Sequence, residues 1–210
     1  MPSATFFHLP EEKRQTLLAA ARSEFTRVSY DQASINKIIQ AAGIPRGSFY
    51  MYFDDKDDLF RYLVGVYREK LTGIGCRILD YHDGDLFAAF EDLFDRFTRK
   101  QETGDPCDGA VFDMVSILRL NPSLHPMLLL SGNEQTPFTL FSSHVDTSRL
   151  SLEQEEDLTD LLHILAGVTV SSMAALSADG PGSAQVHRQH YRNILHLLKR
   201  GAAAPDPIHI

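Results

Sequence analysis

The chain has few of the features that usually give a function away. Cysteine is scarce: Cys76 and Cys107 are the only two, in unrelated surroundings. That count and spacing argue against a disulfide framework or a thiolate metal centre, and point to a reducing, cytoplasmic setting. No apolar run approaches the ~20 residues that a membrane-spanning helix needs, so no membrane partner is expected. The start of the sequence lacks a basic segment followed by an apolar run and a cleavage site, so no secretory leader is expected either. Alternating polar and apolar residues do not persist over any useful length, which excludes a sheet-based fold. Gly-rich phosphate loops, nucleophile motifs and Cys clusters are also missing. The acid pairs Asp54-Asp55 and Asp57-Asp58 are explained by helix capping and solvent exposure. His187 and His190 are three apart but have no carboxylate or thiol at matching spacing, so a polar role suits them better than a metal. The expectation is a protein without catalytic residues, metal or cofactor.

What is present suits a helical protein of one or two domains. The 210 residues are 43% hydrophobic, enough for a respectable core. The net charge of −8 is unevenly spread: residues 1–70 balance at +1 and residues 71–210 at −9. The N-terminal part is therefore only weakly basic. Any grip it has on a polyanion must come from a few well-placed cations and from duplication, not from a general positive field.

Apolar spacing of three and four predicts an all-α fold of about nine helices. Residues 1–9 read as a loose arm. Pro10-Glu11-Glu12 opens a helix over 11–27, with Leu17, Leu18, Ala21, Phe25 and Val28 inward. A long helix near 55–79 follows the acid cluster, capped by Asp54 or Asp55. Gly73 and Gly75 weaken its far end, as a hinge or as a place of close packing. A helix over roughly 86–101 carries Phe87, Phe90, Leu93, Phe94 and Phe97, a stripe whose default role is core filling. Another around Val111 to Leu118 stops at Asn121-Pro122. Residues 124–131 and 137–149 have a helical pattern interrupted by Gly132 and Pro137. Ser151 opens a helix whose apolar side runs from Leu158 to Leu176. The last helix, about 183–200, is stopped by Gly201, and 202–210 is a tail.

The most informative stretch is Ser34 to Leu59. Ser34 is a good N-cap, and Ile35, Ile38, Ile39 and Ala42 share one helical face. Gly43 stands where a helix ends in a left-handed residue, and Pro45 fits the turn or the start of the next helix. Phe49 and Phe53 anchor that second helix. A helix, a turn of three to four residues with Gly, and a second short helix form the helix-turn-helix pattern. With the two Phe inward, Arg46, Gly47, Ser48, Tyr50, Met51 and Tyr52 are left outside. Arg can donate to guanine, Ser can bond bases or phosphates, Tyr can reach phosphates, and Gly47 lets the backbone come close. Lys56 sits in the first turn of the next helix, where a phosphate is favoured.

Over residues 11–60 the chain resembles the N-terminal DNA-binding domain of the tetracycline-repressor (TetR) family. The resemblance rests on Ala19-Ala20-Ala21 with Phe25, Ser34-Ile35, Ile38, Ala41-Ala42-Gly43-Ile44, Gly47-Ser48-Phe49-Tyr50, Tyr52-Phe53, Lys56 and Leu59. The sequence departs from the family pattern at Ser29, where Gly is frequent, and at Pro45, where Ser or Thr is frequent.

The resemblance implies a DNA-binding domain over 1–54, a connecting helix over 55–79, and a ligand-binding and dimerisation domain over 80–201. It implies a homodimeric repressor on a near-palindromic double-stranded DNA operator, released by a small-molecule effector. The expected DNA-binding set is Ser34, Arg46, Gly47, Ser48, Tyr50, Met51, Tyr52 and Lys56. The apolar candidates for an effector pocket are Phe90, Phe94, Phe112, Met127, Phe138 and Phe141, and His163 is either a satisfied core residue, the reading that suits it better, or a polar contact for the ligand. Small and apolar residues on the last two long helices suit a dimer face of Leu161, Leu165, Val168, Ser172, Met173, His190, Ile194 and Leu197. The alternative is a helical small-molecule-binding protein without a DNA-binding role. It would be favoured if Tyr50, Tyr52 and Lys56 were buried.

Overall fold

The computed structural model describes residues 1–103, 109–122, 137–154 and 156–202. Among the described residues there are ten α-helices and no β-strand, in keeping with the lack of alternation. They are α1 (Ala4–Phe7), α2 (Glu11–Arg27), α3 (Ile35–Ala42), α4 (Arg46–Tyr52), α5 (Lys56–Tyr81), α6 (Leu86–Thr103), α7 (Gly109–Leu120), α8 (Pro137–Ser142), α9 (Asp157–Asp179) and α10 (Ala184–Ala202). The described residues divide into two units. The first holds Met1–Lys70 with the described residues from Ala110. The second holds the described residues of Leu71–Gly109 and those from 137 onward.

In the first unit, α2 and α3 pack against each other through Leu17, Ala21, Phe25 and Ile38, all buried. Phe49 and Phe53 close this core from α4, as their four-residue spacing predicts. Gly43 ends α3 in the left-handed region at φ +66°, a conformation that Gly adopts without a Cβ penalty. Ser34 occupies the N-cap of α3 but makes no capping bond with its side chain. Instead its own N–H donates to the Glu24 carboxylate at 3.1 Å. Burial pushes the Glu24 carboxyl up, but hydrogen bonds from Arg27 and Ser34 outweigh this and hold it below the usual range. Asp55 caps α5 by accepting the Asp58 N–H at 2.8 Å, and Asp58 accepts the Asp54 N–H at 3.2 Å.

Two features of this unit differ from the sequence expectation. Residues 1–9 are not a loose arm: they contain α1, and Phe6 is fully buried among Phe53, Tyr62 and Phe7. One buried aromatic ring can hold so short a segment. The other concerns α7, which the sequence grouped with 80–201 but which packs here with residues 1–70. Asp113 explains the grouping, since its carboxylate accepts from the Tyr67 hydroxyl at 2.9 Å and faces Arg22 at 3.8 Å.

The second unit is built on α6, α9 and α10. Phe87, Phe90, Phe94 and Phe97 are all buried, so the aromatic stripe of α6 fills the core. Phe94 stacks on Tyr191 with ring centres 4.2 Å apart. The Tyr191 hydroxyl lies 2.6 Å from that of Thr169 and donates to the Phe90 carbonyl at 3.3 Å. Helix α5 is unbroken, and Gly75 is a site of close packing, not a hinge. A Cβ there would lie 2.6 Å from the Phe141 ring.

Three boundaries are corrected. Pro137 opens α8 instead of interrupting a helix, and residues 137–149 do not form one helix, because Asp146 caps a separate 3-10 turn at Thr147–Arg149. Helix α9 begins at Asp157, not Ser151. The Asp157 carboxylate accepts the N–H groups of Glu153 and Gln154 at 2.7 and 2.9 Å, which keeps the acid run outside the helix. Helix α10 runs through Gly201 to Ala202. The expected helix over 124–131 and Gly132 lie outside the described residues. By length and composition alone α9 is long and apolar enough to cross a membrane. Its Leu161, Leu162, Leu165, Met173 and Leu176 are buried within the protein, as in the core helix of a bundle.

Candidate nucleic-acid interface

Helix α4 is seven residues long, and its inner side is fully committed to the core by Phe49. That commitment fixes which side chains face out. Arg46, Gly47, Tyr50 and Met51 are exposed, while Ser48 and Tyr52 are half-buried. Tyr50 keeps 46% and Met51 59% of its surface, a large apolar exposure for so short an element. No Cβ clash restricts Gly47, which faces open space. The outer face carries Arg46 and Gly47 at its N-terminal end and Tyr50 and Met51 toward its C-terminal end.

Arg46 is held in place before any partner arrives. Its guanidinium donates to the Asn36 side-chain oxygen at 2.8 Å and to the Tyr50 hydroxyl at 3.4 Å. It also lies 5.8 Å from the centre of the Tyr50 ring. Guanidinium carries five N–H donors in a rigid fork, so these two bonds leave donors for a bidentate acceptor such as a guanine edge or a phosphate. Asn36, on the first helix of the motif, was missed by sequence reasoning. Nothing in its local pattern marks it, and only the crossing of α3 and α4 brings it to Arg46.

Lys56 does not join this face. Its ammonium donates to the carbonyls of Tyr30, Ala33 and Asp31 at 2.7, 3.2 and 3.5 Å and lies 4.4 Å from the Tyr30 ring centre. An ammonium has three donors, and three carbonyls face them here. Lys56 thus closes the loop between α2 and α3. Ser34, by contrast, has a hydroxyl not engaged in capping α3.

The C-terminal end of α4 is tied by Ser3, a residue that no local pattern singles out. The Ser3 N–H donates to the Tyr52 carbonyl at 2.9 Å, and its hydroxyl donates to the Met51 carbonyl at 2.6 Å.

The other expected sites are placed as follows. Phe90 and Phe141 meet edge to face at 6.2 Å, and Phe94 is buried against Tyr191. Phe112 is half-buried and belongs to the first unit. Met127 and the side chain of Phe138 lie outside the described residues, and His163 is half-buried. Two clefts of the second unit are lined mainly by charged groups; one is bounded by Asp95, Arg99, Arg188 and Arg192. Neither cleft contains the apolar candidates.

In the expected dimer face, Leu161, Leu165 and Met173 are buried in the protein's own core and present no surface. The cause is register. The sequence picked the apolar side of α9, but that side packs against α6 and α10. Val168, Ser172 and Ile194 are half-buried, and His190 and Leu197 are exposed. The outward stripe of α9 instead runs Ile164, Val168, Ser171, Ala175, and that of α10 runs Val186, His190, Asn193, Leu197. Ile164, Val186 and Leu197 keep 49, 71 and 65% of their surface.

Residues 17–63 match the model of the tetR family of bacterial regulatory proteins, and residues 116–202 match that of the tetracyclin repressor-like C-terminal domain. Together these matches cover more than half of the chain. A helix-turn-helix transcriptional repressor of Mycobacterium tuberculosis is 35% identical over 77 residues, 37% of this chain and 41% of that protein. The repressor BepR of Brucella suis is 35% identical over 54 residues, 26% of each chain. The chain thus spans about two-fifths and a quarter of the lengths of these relatives. Among solved structures, a regulator of the same family from Mesorhizobium loti covers 92% of this chain and 98% of its own at 16% identity, with a TM-score of 0.57. NalD of Pseudomonas aeruginosa, the secondary repressor of the MexAB-OprM multidrug efflux pump, covers 92% and 98% at 19% identity, with a TM-score of 0.54. At these identities the structures speak for the fold alone.

Proposed function

The chain belongs to the tetR family of bacterial regulatory proteins, and from that premise we propose that it is a DNA-binding transcriptional regulator acting as a homodimeric repressor. The observation that carries this reading is the outer face of α4. Arg46, Gly47, Tyr50 and Met51 stand exposed on a helix whose other side is locked in the core. A seven-residue helix fits a major groove about 12 Å wide. Arg46 reads a base edge, Ser34, Ser48 and Tyr52 meet phosphates, and Gly47 lets the backbone approach. Lys56 supports the loop behind this face. The exposure of Tyr50 favours this reading over a binding protein with no role on DNA.

Dimerisation answers an energetic need. One short helix with a single arginine cannot supply the affinity of a specific site, and two linked copies can. The outward stripes of α9 and α10 support such pairing: that of α9 is apolar or small, that of α10 sets Val186 and Leu197 around the polar His190 and Asn193, and both are spaced four, three and four apart. Two recognition helices related by a two-fold axis would then meet successive major grooves about 34–36 Å apart on a near-palindromic operator. Release by a small-molecule effector, acting in the cytoplasm, completes the proposal; coupling of about 1–3 kcal/mol would change operator affinity by roughly 5- to 150-fold.

The test is selection of duplexes from a random pool by the full chain, followed by titration of the selected sequence. Enrichment of a near-palindrome is expected, bound by two protomers. No enrichment, or a chain that sediments as a monomer at binding concentrations, would sink the reading.

A further inference from the structure

We propose that the N-terminal turn Ser3–Phe7 is a positioning element for the recognition helix, in which Ser3 fastens the last carbonyls of α4 and Phe6 grips Phe53. The proposal rests on the DNA-binding reading of α4 given above.

A seven-residue helix has an inherent weakness at its end. Its last carbonyls have no partner within the helix, and a helix of that length is unstable unless something outside holds it. Here one residue holds the last two carbonyls. Ser3 donates its N–H to Tyr52 at 2.9 Å and its hydroxyl to Met51 at 2.6 Å. The same hydroxyl oxygen accepts the Phe6 N–H at 3.4 Å and so starts α1. One side chain therefore closes the C-terminus of α4 and the N-terminus of α1 together.

Phe6 gives this fastening a rigid seat. It is fully buried, with its ring 4.8 Å from that of Phe53 and 5.2 Å from that of Tyr62. Phe53 is the residue that ends α4. The turn thus holds three consecutive residues, Met51, Tyr52 and Phe53. A recognition surface works only if its side chains stay within about half an ångström of the productive geometry, and second supports of this kind supply that precision. The recognition helix is held from two ends: by Asn36 on Arg46 at its start and by Ser3 at its finish.

The experiment uses the full chain and the duplex it selects from a random pool, with a scrambled duplex of equal composition as the non-specific reference. Ser3→Ala, Ser3→Thr and Phe6→Ala are compared at a temperature where circular dichroism shows wild-type helix content. Ser3→Ala is expected to lose about threefold to tenfold in affinity for the selected duplex, the worth of one hydrogen bond, with the scrambled duplex unaffected. Ser3→Thr keeps a hydroxyl and should recover most of the loss. Phe6→Ala should lose more. Unchanged specific binding by folded Ser3→Ala, with or without a lower melting temperature, would overturn the proposal, as would equal loss on both duplexes. If the wild-type chain selects no sequence at all, the DNA-binding reading fails first and takes this proposal with it.

Discussion

Asn121 accepts the backbone N–H of Tyr30 at 2.7 Å, joining residues ninety-one positions apart. Its amide nitrogen donates in turn to the Ile117 carbonyl at 2.8 Å, and the side chain is almost wholly buried. The end of α7 is thereby pinned to the loop that precedes the helix-turn-helix. Asn121→Ala leaves a buried N–H and a helix-end carbonyl without this partner. We expect a loss of about 1–3 kcal/mol, read as a lower urea midpoint. An unchanged midpoint would mean that water replaces the amide.

Lys56 distinguishes support from contact. Lys56→Met keeps the aliphatic stem and removes the ammonium from three loop carbonyls. The melting temperature should fall by several degrees, as for the loss of about 1–2 kcal/mol in a small unit. The salt dependence of DNA binding should keep its slope, because no phosphate contact is lost. A slope shallower by about one would restore Lys56 to the interface.

Arg46 should behave in the opposite way. Arg46→Ala leaves the core intact, since the side chain is exposed. It is expected to cost roughly 1–3 kcal/mol at one base position of the operator if its contact is bidentate. Competition titrations with single-base operator variants would show relaxed preference at that position. Equal loss on every duplex would make Arg46 a phosphate contact.

Asp92 gives the second unit an acid-sensitive joint. Burial pushes its carboxyl up, but hydrogen bonds from Arg96 and His82 outweigh this and hold it below the ordinary range. A carboxyl depressed in the folded state stabilises above its unfolded pKa, and that contribution disappears as pH falls through the folded value. Stability should therefore decline below about pH 4 in the wild type. Asp92→Asn should be less stable at neutral pH and show a flatter acid limb in urea titrations read from pH 7 to pH 3. Parallel limbs would show that other carboxylates carry the effect.

The all-α fold and most helix ends were legible because they depend on local chemistry. Gly43 is left-handed, Phe49 and Phe53 are inward, and α2 and α3 have the bounds their spacing predicts. From the same spacing Arg46, Gly47, Tyr50 and Met51 face out as expected, while Ser48 and Tyr52 are half-buried. Other features were hidden for identifiable reasons. A four-residue helix such as α1 is too short to show periodicity. The side of α9 that looks right for a dimer is the side that fills the core, and sequence cannot tell the two kinds of burial apart. Helix α9 starts six residues past Ser151, at Asp157, whose carboxylate accepts the N–H groups of Glu153 and Gln154 just before it, a bond that periodicity does not show.

Periodicity, capping and turn chemistry act over a few residues, so the linear order of amino acids was enough to specify the helices, the helix-turn-helix and the side chains that α4 turns outward. Which cation reaches out and which is drawn in was decided only in three dimensions. Lys56 and Arg46 both bear a full positive charge, yet one meets three carbonyls of a distant loop and the other meets Asn36 and the solvent. Partners 10 to 26 residues away set those outcomes, and no local pattern encodes them.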